Sequence, residues 1–557
     1  MDRKKRILFV TESTTKSTGY SVYSREILRR FYESGLFYVA ELACFCDANE
    51  DREAIDNTPW DVIINKPTDP VLLEEYNSYD AFEFGEYNFN AALIKVKPDF
   101  VMDIRDWWMH EYQQKSRSAF RDYYKWVPMP TVDSEPQHEM WIESYIDADA
   151  VFTYSEYGKQ VLESQSDHIR IIDVASPAAS DSFRPIPESR EKFGVIDDSV
   201  IFGTVMRNQK RKLYPELFRT FKDFISRSKD NKNAYLYCHT YYPDLGWDIP
   251  KLLIEYGLTD RVLFTYKCTN CGYLTCNFFH DVNNFCRGCG NFKLSLIGTH
   301  NPINDEELAH IYNLFDCYIQ YATNEGFGMP QVEAAYCGIP VMTVDYSAMS
   351  SVGHNIEAFM IPVLHKPYES ETGLKKALPN NAEAVRLFRE IYNMSSEKRK
   401  KYGERSRELA LKHYNWDRTA NKWMNFFMNE PVISEDMSTT WLSPPEILDA
   451  GPPVPSNITS PKDQATYLFD KVLRKPSWVH GFHWRKLVRD LTYRGHLKST
   501  TNEIYFFNES HVRDNKNNFV DYDKHKAYEQ LSHSRDQFNK LEQARWEQVN
   551  NESNLHR

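Results

Sequence analysis

The chain has 557 residues, 41% apolar and 14% aromatic, enough to bury more than one core and form more than one domain. No apolar run approaches bilayer-spanning length, and Asp2-Arg3-Lys4-Lys5-Arg6 leads straight into a strand without a leader pattern. A cytoplasmic protein is therefore expected, and the net charge of −12 (67 basic against 79 acidic residues) excludes a global drive toward nucleic acid or anionic lipid.

In chain order, Arg6–Val10 reads as a strand, followed by a polar loop with Gly19 and an amphipathic helix from about Tyr20 to Phe31. Further strands are expected at Phe37–Cys46, Asp99–Ile104, Trp126–Val132 and Ala150–Thr153. Ser182-Phe183-Arg184-Pro185-Ile186-Pro187 reads as a crossing between domains. Val200–Val205 is another apolar strand, and the cationic segment Met206-Arg207-Asn208-Gln209-Lys210-Arg211-Lys212 follows it.

Cys268-Thr269-Asn270-Cys271 and Cys286-Arg287-Gly288-Cys289 are two CxxC knuckles with fourteen residues between the inner cysteines. Glycines at 272, 288 and 290 ease the turns, and two such knuckles supply tetrahedral S4 ligation. A structural zinc on Cys268, Cys271, Cys286 and Cys289 is expected, because four thiolates close the coordination sphere and leave no site for catalysis. Two disulfides are the alternative, which a reducing compartment disfavours. Cys276 and His280 lie between the knuckles as further ligand candidates, whereas Cys44, Cys46, Cys238, Cys317 and Cys337 sit in apolar runs and read as buried small hydrophobes.

The segment Asn324-Glu325-Gly326-Phe327-Gly328-Met329-Pro330-Gln331-Val332-Glu333 places two carboxylates eight positions apart around a Gly-x-Gly turn. Its flanks, Asp316–Ala322 and Ala334–Val341, give a buried strand, a tight loop, a short helix opened by Pro330 and a second strand. The glycines allow close approach to a ligand, the helix start offers free N–H groups to an anion, and carboxylate acceptors suit polyols such as ribose or hexose. The plainer reading is an ordinary strand–loop–helix turn with solvated glutamates.

After His413-Tyr414-Asn415-Trp416 and Trp423–Phe427, residues 431–460 are rich in Pro, Ser and Thr and read as a linker. Residues 461–500 hold nine cations against three carboxylates, a local +6, interleaved with Trp478, Phe482, Trp484 and Tyr493. Such a segment could stack bases and meet phosphates, or it could be a small helical extension with core tryptophans and a solvated charged face. Tyr522 to about Val549 reads as a polar helix with Phe538, Leu541 and Trp546 on one side, suited to a neighbour or a second copy.

Glu325–Glu333 resembles the Glu-x7-Glu signature of retaining GT-B glycosyltransferases of family 4, the glycosyl transferases group 1. Other segments resemble that family in order: the Gly19 loop, Arg207 and Lys212 five residues apart, His239, Gly246-Trp247-Asp248, Gly257–Val262 and the helix start Ile303–Leu308. The resemblance covers roughly residues 6 to 428 and implies an α/β GT-B fold. It would have two Rossmann-like domains facing a cleft, with a zinc-ribbon insertion and a mostly helical C-terminal extension. The expected division is 1–186 for the acceptor domain, with a return helix at 413–430, and 187–412 for the nucleotide-sugar domain. The ribbon would occupy 266–292, the linker 431–460 and the extension 461–557.

The resemblance also implies chemistry. Arg207 and Lys212 would grip the donor pyrophosphate without a catalytic divalent metal, aided by amides of the Gly19 loop and of the helix after Phe327-Gly328. Glu333 would hold ribose hydroxyls, Glu325 the donor sugar, and His239 would also face the donor. One departure stands at Val101-Met102-Asp103-Ile104-Arg105-Asp106-Trp107-Trp108, where many relatives have a His-x-His-like element and this chain has only the nearby His110. Asp106 or Asp103 could orient acceptor or sugar, or be ordinary strand-end carboxylates, and Trp107 and Trp108 could stack on a ring or fill an interface. Thr131–Glu135 would line the acceptor side.

The implied function is transfer of a sugar from a nucleoside diphosphate sugar to an acceptor hydroxyl. The ribbon and the basic aromatic segment point toward a hydroxymethylated base in DNA. The alternatives are a glycan or lipid-linked saccharide, or a GT-B-shaped binding or scaffold protein without turnover.

Overall fold

The computed structural model describes residues 3–433, apart from 115–119, 196–197, 228–232, 280–283, 299–300 and 371. Most of the linker and the whole 461–557 extension, with its suggested self-association helix, lie outside the described residues, as does His280. Among the described residues no helix is long and apolar enough to cross a membrane.

The first sheet is parallel, with order β3-β2-β1-β4-β5, built from β1 (Lys5–Glu12), β2 (Phe37–Cys44), β3 (Asp61–Ile64), β4 (Phe100–Asp103) and β5 (Lys125–Pro128). Runs such as Ile7-Leu8-Phe9-Val10 are apolar on both faces because helices cover both sides of the sheet. The helix α1 (Gly19–Ser34) starts on a Thr18 cap and ends at Gly35, which is left-handed at φ 66. β6 (Val151–Thr153) and β7 (Ile171–Val174) pair beside this sheet.

Two strands are shorter than the sequence suggests. The run expected to reach Val132 leaves the sheet after Pro128, because Pro128 and Pro130 have no N–H to donate to a ladder. Residues 131–135 instead cross toward the second sheet. The run expected to reach Cys46 stops at Cys44, and Phe45 turns to φ 59.

The second sheet contains β8 (Val200–Val205), β9 (Ala234–His239), β10 (Val262–Cys268), β11 (Leu274–Phe278), β12 (Asn284–Phe285) and β13 (Phe292–Leu296). It continues with β14 (Cys317–Gln320), β15 (Val341–Val344) and β16 (Phe359–Ile361). Its order is β12-β13-β10-β9-β8-β14-β15-β16, parallel from β10 to β16, with β11 on β10. The ribbon is therefore an antiparallel edge of this sheet and not an appended module. Helices α2 (Tyr214–Ser226), α3 (Asp305–Tyr312) and α4 (Met329–Tyr336) accompany the parallel strands. A small hairpin, β17 (Val363–His365) with β18 (Leu378–Pro379), follows them.

Helix α5 (Trp416–Asn429) returns to the first sheet. Trp423 stacks on Phe152 at 3.7 Å and donates from Nε1 to the Tyr23 hydroxyl at 2.8 Å, and Phe427 meets Phe31, Phe37 and Phe100. Lys5 Nζ donates to the last carbonyls of the helix at Phe427 and Met428.

Candidate functional site

The C-terminal ends of both sheets face a cleft of about 780 Å³. Ser17, Thr18, Gly19, Val22 and Arg25 line it from the first sheet's side. Val205, Met206, Arg207, His239, Tyr241, Ile297, Ile303, Asn304, Met329, Pro330 and Glu333 line it from the second. The starts of α1 and α4 thus both border the cleft, where free N–H groups favour an anion. Gly328 caps α4 at φ 82, a conformation that favours glycine. A Cβ on Gly326 would lie 2.4 Å from Thr131 Cγ2, so that glycine is fixed by the close approach of the first domain.

Glu325 sits in a cluster next to the Asn324–Asp133 contact that joins the two domains. Lys212 Nζ contacts its Oε1, Arg211 Nη1 donates to Oε2 at 2.8 Å, and Gln320 Nε2 donates to Oε1 at 2.7 Å. Its backbone N–H donates to Ser347 Oγ at 2.9 Å, and Ser347 is held at a left-handed φ of 53. Lys212 is 8% exposed and Arg211 42% exposed. Burial, with Arg211 beside it, pushes the Lys212 amine well below its ordinary value, and the Glu325 carboxylate opposes that shift.

Arg207 does not share that carboxylate. It makes a bidentate pair with Asp244, at 3.0 and 3.1 Å, and lines the large cleft together with His239 and Glu333. Arg207 and Lys212 thus sit in two separate ion pairs in this structure. Tyr312 OH donates to Glu333 Oε2 at 2.6 Å, and burial raises the Glu333 carboxyl to about 7. His239 Nδ1 meets Thr265 Oγ1 at 2.9 Å, and burial lowers the imidazole to about 4, so it is neutral near pH 7.

Phe327 is not a cleft residue. Its ring is buried edge-on against Tyr414 at 5.4 Å, in the layer between the Glu325 loop and α5. Gly19 does border the cleft, and a Cβ there would meet nothing within 4 Å, so crowding does not impose glycine at that position.

On the first domain's side, Tyr20 OH donates to Asp106 Oδ1 at 3.1 Å and shares a 2.8 Å hydrogen bond with Thr131 Oγ1. Burial, and then the nearby Asp133, raise the Asp106 carboxyl. Asn324 Nδ2 donates to Asp133, joining the two domains beside Glu325. Asp103 belongs elsewhere: it is fully buried and takes Arg105 Nε at 3.2 Å, His110 Nδ1 at 3.2 Å and Gln113 Nε2. Burial would raise that carboxyl, but Arg105 and His110 outweigh it and hold it below its usual range. Neither Asp103 nor His110 is therefore offered to an acceptor. Trp107 stacks on Trp141 at 5.9 Å, whereas Trp108 is exposed with its ring edge-on to Phe84.

The four knuckle cysteines form a separate centre, their sulfurs all within 4.8 Å of one another. Cys268 and Cys289 sulfurs are 3.7 Å apart, and those of Cys271 and Cys286 are 3.6 Å apart. A tetrahedral zinc with bonds of about 2.3 Å needs S···S edges of about 3.8 Å, against about 2.05 Å in a disulfide. The donor set fits the metal. Gly272 and Gly290 each adopt φ 73 and each close a 2.9 Å bond to the carbonyl of their knuckle's first cysteine. Cys276 is outside the cluster, on β11 and packed against the core. The other five cysteines are buried.

Several members of the site gave no signal in the sequence: Arg211, Gln320, Ser347, Tyr312 and Tyr20. Only the Arg-Lys adjacency at 211–212 could have pointed to one of them.

Residues 297–409 match the family model described as glycosyl transferases group 1; the match begins directly after β13 and includes Glu325 and Glu333. Comparison with curated proteins finds no match. Among solved structures the chain is similar to a sucrose-phosphate synthase from Thermosynechococcus elongatus, at 16% identity and TM-score 0.53, covering 76% of this chain and 98% of that one. It is similar to a glycosyltransferase from Rickettsia africae at 14% identity and TM-score 0.50, covering 76% and 98%. Anabaena HepE in complex with UDP-glucose is similar at 13% identity and TM-score 0.50, covering 76% and 99%. At these identities the likeness shows the fold, which is GT-B.

Proposed function

We propose that the protein is a retaining glycosyltransferase of family 4 that uses a nucleoside diphosphate sugar, with the division at about residue 186 separating acceptor and donor domains. The observation that carries this reading is the Glu325–Lys212–Arg211 cluster beside the Asn324–Asp133 contact between the domains, with Glu333, eight residues after Glu325, lining the cleft. Apolar Val205, Met206, Ile297 and Ile303 with Tyr241 suit a base, Glu333 Oε1 suits a ribose hydroxyl, and Arg207 with the start of α1 suits the diphosphate.

In transfer, the bond from the anomeric carbon to the β-phosphate oxygen breaks, and a bond to the acceptor oxygen forms on the same face. The acceptor proton passes to the departing phosphate. Lys212 and Arg211, released from Glu325 as the donor enters, stabilise the charge growing on that phosphate, and Glu325 turns to the sugar hydroxyls. The cations of the chain do this work, so the reading calls for no catalytic divalent ion. Asp106, linked to Tyr20 and Thr131, faces the acceptor. Zinc on the four cysteines is structural, and cysteines kept out of disulfides suit a reducing cytoplasm.

A hydroxymethylated pyrimidine in DNA is the acceptor favoured by the +6 segment 461–500, a reading that rests on sequence alone. If the intact protein binds neither duplex nor single-stranded DNA at low salt, a saccharide acceptor takes its place. Incubation with a panel of nucleotide sugars, starting with UDP-hexoses, tests the main reading. Slow release of nucleoside diphosphate from one donor is expected; neither binding nor hydrolysis with any of them would leave a binding or scaffold protein.

A further inference from the structure

The strand that carries the first knuckle cysteine also holds up the wall of the cleft. β10 pairs in parallel with β9 over Val262–Phe264, then runs on to end at Cys268. β13 returns beside it, with Cys268 opposite Leu294 and Tyr266 opposite Leu296. The next residue, Ile297, enters the cleft lining, which Ile303 and Asn304 continue.

Lys267, one residue before Cys268, ties strand and wall together. Its Nζ donates to Glu307 Oε2 at 2.9 Å and to the Pro302 carbonyl at 3.0 Å. Its own carbonyl accepts from Asn301 Nδ2 at 2.8 Å. Glu307 Oε2 also accepts the Asn304 N–H at 3.0 Å, closing the capping box that starts α3. One carboxylate oxygen thus both caps α3 and receives the lysine next to a metal ligand. The ion pair is largely buried, at 20% and 23% exposure, so its geometry is held and not merely screened.

We infer that the ribbon is a positioning device for the donor: metal bound by the four cysteines fixes the end of β10, and Lys267 passes that placement to the wall formed by residues 297–298 and 301–308. This rests on the donor reading above. Metal binding is folding energy for such knuckles, so removing it frees the end of β10 and with it the anchor of the wall. The wall gives the cleft Ile297, Ile303, Asn304, Asp305, Glu306 and Leu308, while Glu325 and Lys212 are outside that lining. Loosening the wall therefore removes binding shared by ground and transition states, which raises KM and spares kcat. A ribbon that only braces the fold would lower the melting temperature without this split.

Lys267→Met, Lys267→Arg and chelator-stripped wild type test the inference, with zinc content measured in each. Lys267→Met should keep its metal and hold kcat within about twofold while donor KM rises about tenfold, the loss of roughly one charge-assisted hydrogen bond. Lys267→Arg should recover most of the affinity. Stripped protein should show the same KM rise and faster amide exchange over residues 301–308, with exchange in β1–β5 unchanged. Unchanged KM and unchanged exchange at 301–308 in both metal-loaded Lys267→Met and stripped protein would overturn the inference. If the wild type turns over no donor, the functional reading fails, and the exchange comparison still decides whether the ribbon places the wall.

Discussion

Each domain sets a carboxylate against a cation after a central strand, and the two clusters differ in one respect. Asp103, Arg105 and His110 are all fully buried, and Arg105 Nη1 also donates to the Phe84 carbonyl. Glu325 and Lys212 are nearly as buried, but Arg211 is 42% exposed. The same chemistry is structural where every partner is enclosed and becomes available to a ligand where one partner can exchange. Burial of a charged group is therefore a poor guide to its role, and the freedom of its partner a better one.

Removing Arg105 tests the sealed side and should have the largest effect. Arg105→Met leaves Asp103 as a buried carboxylate with only His110 and Gln113 facing it, and breaking such a pair costs about 3–5 kcal/mol. Denaturant unfolding should show this loss, while donor turnover per folded molecule is retained. A loss below about 1 kcal/mol would mean that solvent or a rearranged neighbour satisfies Asp103.

Removing Lys212 tests the open side. Lys212→Ala should lower donor turnover by at least about two orders of magnitude, close to 2.7 kcal/mol of transition-state stabilisation, with Arg207→Ala following in the same direction. The stability loss should be smaller than for Arg105→Met, because Arg211 and Gln320 still hold Glu325. Near-normal kinetics in both variants would take these cations out of the site.

The contrast also explains what the sequence could tell. The four-cysteine cluster was legible because two CxxC turns bring its sulfurs together on local chain, and the placing of Glu325 and Glu333 because one loop and one helix carry both. Apolar strands with amphipathic helices between them likewise announced two α/β sheets. In the cationic run 207–212, by contrast, spacing alone does not say which side chain turns inward. That is decided when Lys212 bridges to Ala322 and Leu213 N–H donates to the Tyr321 carbonyl, contacts made across more than a hundred residues. Asp103 and Asp106 look interchangeable in sequence, but β4 ends between them and sends one inward and the other to the interface. The Asp133–Asn324 contact spans 191 positions and has no local signature.

Glu333 lies between these two extremes, half-buried where Asp103 is fully enclosed and lining the cleft itself, and it offers the finest test. Burial raises its carboxyl from the ordinary 4.5 to about 7, so the folded state holds a proton that the unfolded state releases between those values. Its favourable contribution is complete below about 4.5 and is lost as pH rises through about 7, above which an ionised carboxylate sits in a poorly solvated place. The shift sets an upper bound of about 3 kcal/mol on that penalty. Glu333→Gln removes the charge but weakens the bond from Tyr312, so a net gain of about 1–2 kcal/mol is expected at pH 8 and almost none at pH 5. Donor affinity should move the other way, because the amide is a weaker acceptor for a ribose hydroxyl, and wild-type donor KM should itself rise as pH falls below about 7. Unfolding at the two pH values, paired with donor binding, checks both halves. Equal stability changes at pH 5 and pH 8 would show that Glu333 is not ionising against its surroundings. Unchanged donor affinity would remove it from the site and leave Glu325 as the only carboxylate of the pair that meets the substrate.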